Sequence, residues 1–189
     1  EIEATIKNVA RVAYATTLMK QGVLISTVEH LLASLYIFGV DNAWIDIDNL
    51  EVPILDGSAL EFSEKIQRVG LKQQSALRQY LVIKNPLEIR DRDRMIAVYP
   101  ADQFQIHYSI DFDHPMITKQ VFDFKASPEI FAREVAPART FGFFREVEEL
   151  KKNGLVRGGS LDNAIVLTEK GILNNILRFK DEFVRHKVL

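Results

Sequence analysis

The sequence predicts an α+β chain built as two layered domains of similar size. Two observations carry that expectation: each half mixes strand-like alternation, broken by short turn signals, with helix-like segments, and a polar stretch, "LKQQSALRQ", separates the halves. The boundary falls near Gln79, giving residues 1–78 and 79–189.

In the first half, "IEATI" and "RVAYATTL" carry enough β-branched and apolar residues to be strands, with Gln21-Gly22 as the turn after them. An apolar helix follows over "ISTVEHLLASLYIFG", residues 25–39, with Gly39 where a helix C-terminal glycine belongs. "NAWIDIDN" then alternates, placing Ala43, Ile45 and Ile47 on one face of a strand. After the Asp56-Gly57 turn, Ser58 and Glu61 have capping-box spacing and open a helix over 58–69 that Gly70 stops.

In the second half, strands are expected at "YLVIKNPLEI", "MIAVY", "FQIHYSIDF" and "QVFDF", with turns at 91–93, 100–102 and His114-Pro115. Ser127-Pro128 reads as a cap followed by proline at the first helical position, leading "EIFAREVA". A short charged helix over 145–153 stopped by Gly154, a strand at "NAIVLTE" and a helix from Asp181 onward complete the order.

Composition bounds the function. With 189 residues, 47% hydrophobic and 26% charged, the chain is an ordinary globular mixture able to bury roughly 70% of its unfolded surface. It has no cysteine, which excludes disulfides and thiolate zinc sites without fixing a compartment. The formal charge of −2 is spread without a basic block, so nucleic acid is a poor candidate partner. No apolar run approaches the ~20 residues of a membrane span and no signal peptide opens the chain, so a cytoplasmic protein is expected. The chain starts at Glu1 and stops inside the helix-like "DEFVRHKVL", so a fragment is expected too.

The first helix is unusual. At 100° per residue Val28, Leu31, Leu32, Leu35 and Phe38 form one face, and His30 points almost directly away from it beside Ala33, Ser34 and Ile37, with Glu29 at the edge. A back face that small and apolar calls for a second covering surface, and the other domain is the obvious one. Glu29 and His30 would then lie in the crevice between the halves. Local sequence alone favours plainer roles: Ser26-x-x-Glu29 has capping-box spacing, and no histidine sits in a ligand pair such as H-E-x-x-H. In "ARTFGFF" the plain reading is a strand with Phe141 and Phe143 facing the core, and "GLVRGGSLDNA" lacks both the P-loop and the dinucleotide glycine spacing.

Four separated segments, "ATTLMKQGVLISTVEHLLASL", "IDIDNLEVPILDGSALEF", "ARTFGFFREVEELKKNGLVRGGSLDNAIVL" and "LRFKDEFVRHK", together resemble the zinc-dependent UDP-3-O-acyl-N-acetylglucosamine deacetylases of bacterial lipid A synthesis, in order and approximate spacing. The resemblance implies hydrolysis of the N-acetyl group of a UDP-linked, 3-O-acylated glucosamine, releasing acetate in the committed step of lipid A assembly. It implies a fold with helices packed between two mostly antiparallel sheets and the metal in the interdomain crevice. His30 and His186 match zinc ligands, Glu29 the catalytic carboxylate, and Thr140 the threonine that stabilises the oxyanion. Lys187 matches a lysine contacting the sugar-phosphate region and Phe141 an aromatic near the sugar. The stretch 143–157 is the expected contributor to an acyl passage. An aspartate expected just after Leu189 would complete the zinc ligands, so weak zinc binding and poor turnover are expected of these 189 residues alone. A monomer is expected. The competing reading is a non-catalytic relative that holds a nucleotide sugar or acyl chain, and a third is a structural module in which Glu29 only caps its helix.

Overall fold

The computed structural model describes residues 1–146, 163–173 and 176–189. The expected helix over 145–153 lies mostly outside the described residues, as do most of the stretch 143–157 and of the glycine-rich 154–164.

Strands β1 (Val9–Arg11), β2 (Thr17–Lys20) and β3 (Val23–Ile25) form an antiparallel meander in the order β1-β2-β3. Its turn sits at Gln21 and Gly22, both at positive φ, the backbone that lets a two-residue hairpin match strand twist. Helix α1 (Glu29–Ile37) follows, ending at Gly39 with φ +77°, and α2 (Leu60–Val69) ends at Gly70 in the same way. Helix α2 starts two residues later than expected, with Ala59 as its cap and no side chain closing it; the Ser58 hydroxyl accepts from the Leu60 N–H at 3.2 Å instead of completing a capping box with Glu61.

The second half contributes two hairpins, β4 (Leu87–Asp91) with β5 (Arg94–Val98) and β6 (Gln105–Ile110) with β7 (Gln120–Lys125). Helix α3 (Pro128–Ile130) is capped by Ser127, whose hydroxyl accepts from the Ile130 N–H, and runs into a π turn over Phe131–Val135. A three-stranded sheet orders β10 (Gly171–Ile172), β9 (Ile165–Thr168) and β8 (Phe141–Phe143), with β8 and β9 parallel. Helix α4 (Glu182–Val188) ends the chain. The fold is α+β with mostly antiparallel pairing, as predicted.

Three expected strands do not form as read from the sequence, the first being "IEATI", where residues 2–5 join no ladder among the described residues and Ile6–Asn8 close a 3-10 turn before β1. Residues 42–49 join no ladder among the described residues, and Trp44 is 81% exposed; alternation marks a chain that could pair, but a strand needs a neighbour supplying hydrogen bonds. Likewise the strand expected from Tyr80 begins only at Leu87.

Among the described residues, two apolar cores result. The smaller is built on Leu18, Val28 and Val52 with Leu31, Leu32 and Phe62 against it. The larger gathers Phe122, Phe124, Phe131, Ile165, Leu167, Phe183 and Val184. Helix α1 lies between them: Val28, Leu31 and Leu32 face the smaller core, while Ala33, Ile37 and Phe38 pack on the larger. The predicted second covering surface is therefore present, although Phe38, expected on the first face, turns to the second.

Candidate functional site

Helix α1 begins four residues later than its apolar pattern suggests, and that delay places Glu29. The main chain of Ser26 is committed elsewhere: its N–H donates to the Leu50 carbonyl at 2.9 Å and its carbonyl accepts from the Val52 N–H at 3.0 Å. Thr27 sits at φ +59°, a left-handed conformation unfavourable for a β-branched residue, and its hydroxyl donates to Glu51 Oε1 at 2.7 Å. The helix can start only after this kink, with Val28 as its first cap and no side chain closing it. The expected capping box does not form. Ser26 Oγ bonds the Thr17 hydroxyl instead, and Glu29 Oε2 accepts from the Thr16 N–H at 3.0 Å. Burial pushes the Glu29 carboxyl above the ordinary glutamate range, opposed by backbone hydrogen bonds from its own N–H and that of Thr16; Glu51 pushes the same way as burial, and Lys187 opposes it.

His30, next in the chain, is 3% exposed, and its Nδ1 has no hydrogen-bond partner among the described residues. An unpaired buried polar atom costs about 1–3 kcal/mol and calls for an explanation. Its neighbour supplies one: the His186 ring of α4 stands perpendicular to it, centroids 5.1 Å apart. His186 Nδ1 bonds the Ala138 carbonyl at 3.1 Å. A carbonyl only accepts, so Nδ1 carries the proton and Nε2 keeps its lone pair, the arrangement in which a histidine is aimed and made ready as a metal ligand.

Both rings are held neutral. Burial lowers His30 to about 4, against a small upward pull from the Asp56 charge. Burial also lowers His186 to about 3, helped by His30 and Lys187 and opposed by the bond to Ala138. Unfolded, each ring takes up a proton near pH 6.5; folded and metal-free, neither does until far lower. Between those limits the unfolded state binds more protons, so stability falls as pH drops. Urea unfolding of the metal-free full-length protein is expected to show a constant midpoint above about pH 7 from these groups and a falling one from pH 6.5 toward 4.

Phe141 and Lys187, also named from the sequence, lie beside His186. Lys187 Nζ lies 5.0 Å from the Phe141 ring centroid, and the Phe141 ring is 6.4 Å from that of His186. Desolvation pulls the Lys187 ammonium below the ordinary lysine range, and the nearby Glu29 charge opposes this. Thr140 is fixed through its backbone, its N–H donating to the Gly57 carbonyl at 2.7 Å and its own carbonyl accepting from Ile165 at 2.8 Å. The first of these bonds, with Ala59 N–H to the Ala136 carbonyl at 2.9 Å, stitches the 54–59 turn to the 136–140 loop.

Among the described residues, no cluster of three or more His, Cys, Asp or Glu side chains is placed to hold a metal. In kind, the donors present fit zinc: two neutral imidazoles face one another, one with an orphaned nitrogen and the other with its far nitrogen anchored to a carbonyl. A family model described as UDP-3-O-acyl N-acetylglycosamine deacetylase matches residues 1–189, the whole chain. The chain belongs to that family.

Relatives of the same kind follow. Proteins named UDP-3-O-acyl-N-acetylglucosamine deacetylase are 49% identical in a Nitratiruptor species, 48% in Geotalea uraniireducens and 49% in Myxococcus xanthus, each over 189 residues and all of this chain. The chain spans 60–63% of the length of those three relatives. Among the described residues, no helix is long and apolar enough to cross a membrane.

Five groups around the pair in this deacetylase-family chain are missed by sequence reasoning. The Ala138 carbonyl is a backbone atom and leaves no side-chain signal. Glu182 and Arg139 form a buried ion pair at 2.9 Å, and Arg178 reaches Asp56 at 2.8 Å. Arg139, Arg178, Glu182 and Asp56 all lie in segments quoted for the family resemblance, but no local spacing marks their pairing.

Proposed function

We propose that this chain forms most of a zinc-dependent hydrolase that removes the N-acetyl group of UDP-3-O-acyl-N-acetylglucosamine, with His30 and His186 as two of the metal's ligands. The observation that carries the proposal is the close, perpendicular pair of neutral imidazoles, His30 buried with an unpartnered nitrogen and His186 part-buried beside it, in a chain of this family.

When bound, zinc supplies Lewis acidity, polarising the acetamide carbonyl and lowering the pKa of water toward ~7. The chain's own side chains do the rest. Glu29, beside His30 on the first turn of α1, takes a proton from the attacking water, and the burial that raises its pKa makes its carboxylate a stronger base than an exposed one. Oxygen adds to the carbonyl carbon, the C–N bond breaks, acetate leaves, and the proton taken from water ends on the sugar nitrogen. Thr140, whose backbone is held on both sides, donates its hydroxyl to the oxyanion in this reading. Lys187 orients the sugar-phosphate region, and Phe141, against which it lies, packs near the sugar. The division near Gln79, a monomeric state and a cytoplasmic location belong to the same proposal.

Acetate release from the UDP-linked substrate by the full-length protein is the direct test. Release that stops on chelation and returns with stoichiometric zinc is the expected result; tight substrate binding with no acetate released by the zinc-loaded protein would favour the non-catalytic binding relative instead.

A further inference from the structure

We propose that Glu182 is a positioning residue for His186, acting through Arg139 and the Ala138 carbonyl; the proposal rests on His186 being a metal ligand. Glu182 lies one helical turn before His186, so both project from the same face of α4 toward the 136–140 loop. Its carboxylate is 0% exposed and fully engaged. Oε1 accepts from the Arg139 N–H at 3.0 Å and from Arg139 Nε at 2.9 Å, while Oε2 accepts from Arg139 Nη2 at 3.2 Å and the Arg178 N–H at 2.6 Å.

The loop is therefore fastened to α4 at two points a turn apart, Arg139 to Glu182 and the Ala138 carbonyl to His186 Nδ1. These are consecutive loop residues, so fixing the Arg139 N–H fixes the peptide plane that carries the Ala138 carbonyl. That carbonyl sets the tautomer and the ring orientation of His186. The same loop is tied on its other side, with Arg178 Nη1 donating to the Pro137 carbonyl at 2.9 Å and the Thr140 N–H to the Gly57 carbonyl.

Energetics support a role in placement rather than in stability. A buried carboxylate-guanidinium pair gains little over an apolar pair of the same shape, because desolvation offsets most of the attraction. An apolar pair could fill the space. It could not hold the Arg139 N–H in one direction.

The test uses the full-length protein, with Glu182→Asp and Glu182→Gln compared with wild type at a temperature where near-ultraviolet circular dichroism shows all of them folded. Phe124→Leu serves as the control, a truncation in the larger core. Both Glu182 variants are expected to bind zinc about 10–100-fold more weakly. Their cobalt-substituted forms are expected to show shifted visible bands, and Phe124→Leu to lose thermal stability while keeping zinc affinity within about twofold of wild type. Glu182→Gln leaves Arg139 without its counter-charge, so if it does not fold, Glu182→Asp, which keeps the charge and shortens the reach, decides alone. A folded Glu182→Asp with wild-type zinc affinity and cobalt spectrum overturns the proposal, as does equal weakening in Phe124→Leu. If His30→Ala and His186→Ala both leave the wild-type cobalt spectrum unchanged, the ligand assignment itself is wrong, and the Glu182 proposal falls with it.

Discussion

Replacing Glu29 with glutamine is expected to lower kcat of the full-length protein by about 10²–10⁴-fold while leaving zinc content unchanged. The substitution keeps the shape of the side chain and an oxygen able to accept from the Thr16 N–H, so the start of α1 is preserved. It removes the one property a general base needs, an accessible lone pair on a group that can take and release a proton. Because burial disfavours the Glu29 carboxylate, the neutral amide relieves a desolvation cost, and the melting temperature is expected to stay level or rise slightly. Acetate-release kinetics beside a thermal melt and a zinc assay separate the two roles weighed for this residue. A large loss of turnover in a fully stable, zinc-replete protein marks chemistry. A loss of stability with turnover retained would mark a residue that only shapes the helix start.

Gly57→Ala is expected to be the most damaging single substitution outside the chemistry. Gly57 has φ +85°, where a side chain is itself unfavourable by about 1–2 kcal/mol. A Cβ there would stand 2.0 Å from the Asn163 carbonyl oxygen, and backbone cannot swing aside as a long side chain would. Strain and displacement together cost about 3 kcal/mol, a fall of roughly 6–12 °C in melting temperature for a protein of this size. The displaced turn carries the Gly57 carbonyl that holds the Thr140 N–H, and Ala59, bonded to Ala136, lies two residues on. Zinc affinity and turnover are therefore expected to fall with stability, through the displaced 136–140 loop that carries the Ala138 carbonyl. Calorimetry and a zinc titration on the same preparation check both parts.

How much of this is legible in the sequence depends on whether the signal is local. The covering of the second side of α1 is legible, because a histidine beside Ala33, Ser34 and Ile37 opposite a leucine-rich face is a pattern within one helix. The turn glycines Gly22, Gly39 and Gly70 are legible for the same reason, since each position demands φ > 0 from its immediate neighbours. The unformed strands at 42–49 and 80–86 show the limit: alternation specifies faces but not partners. The capping box of Ser26 and Glu29 fails because the Ser26 main chain is claimed by residues 50 and 52, a pairing no spacing rule near residue 26 contains. The approach of His186 to His30, from opposite ends of the chain, has no local signal at all and is expected only through family resemblance.

One ion shared by His30 and His186 is central to the proposed chemistry. Crystals of the zinc-loaded full-length protein, measured at the zinc absorption edge, test this most directly by placing the metal through its anomalous scattering. One strong peak within about 2.0–2.1 Å of a ring nitrogen of both His30 and His186 is the predicted result. A peak on other residues, or on one of these rings with the other turned away, would contradict it.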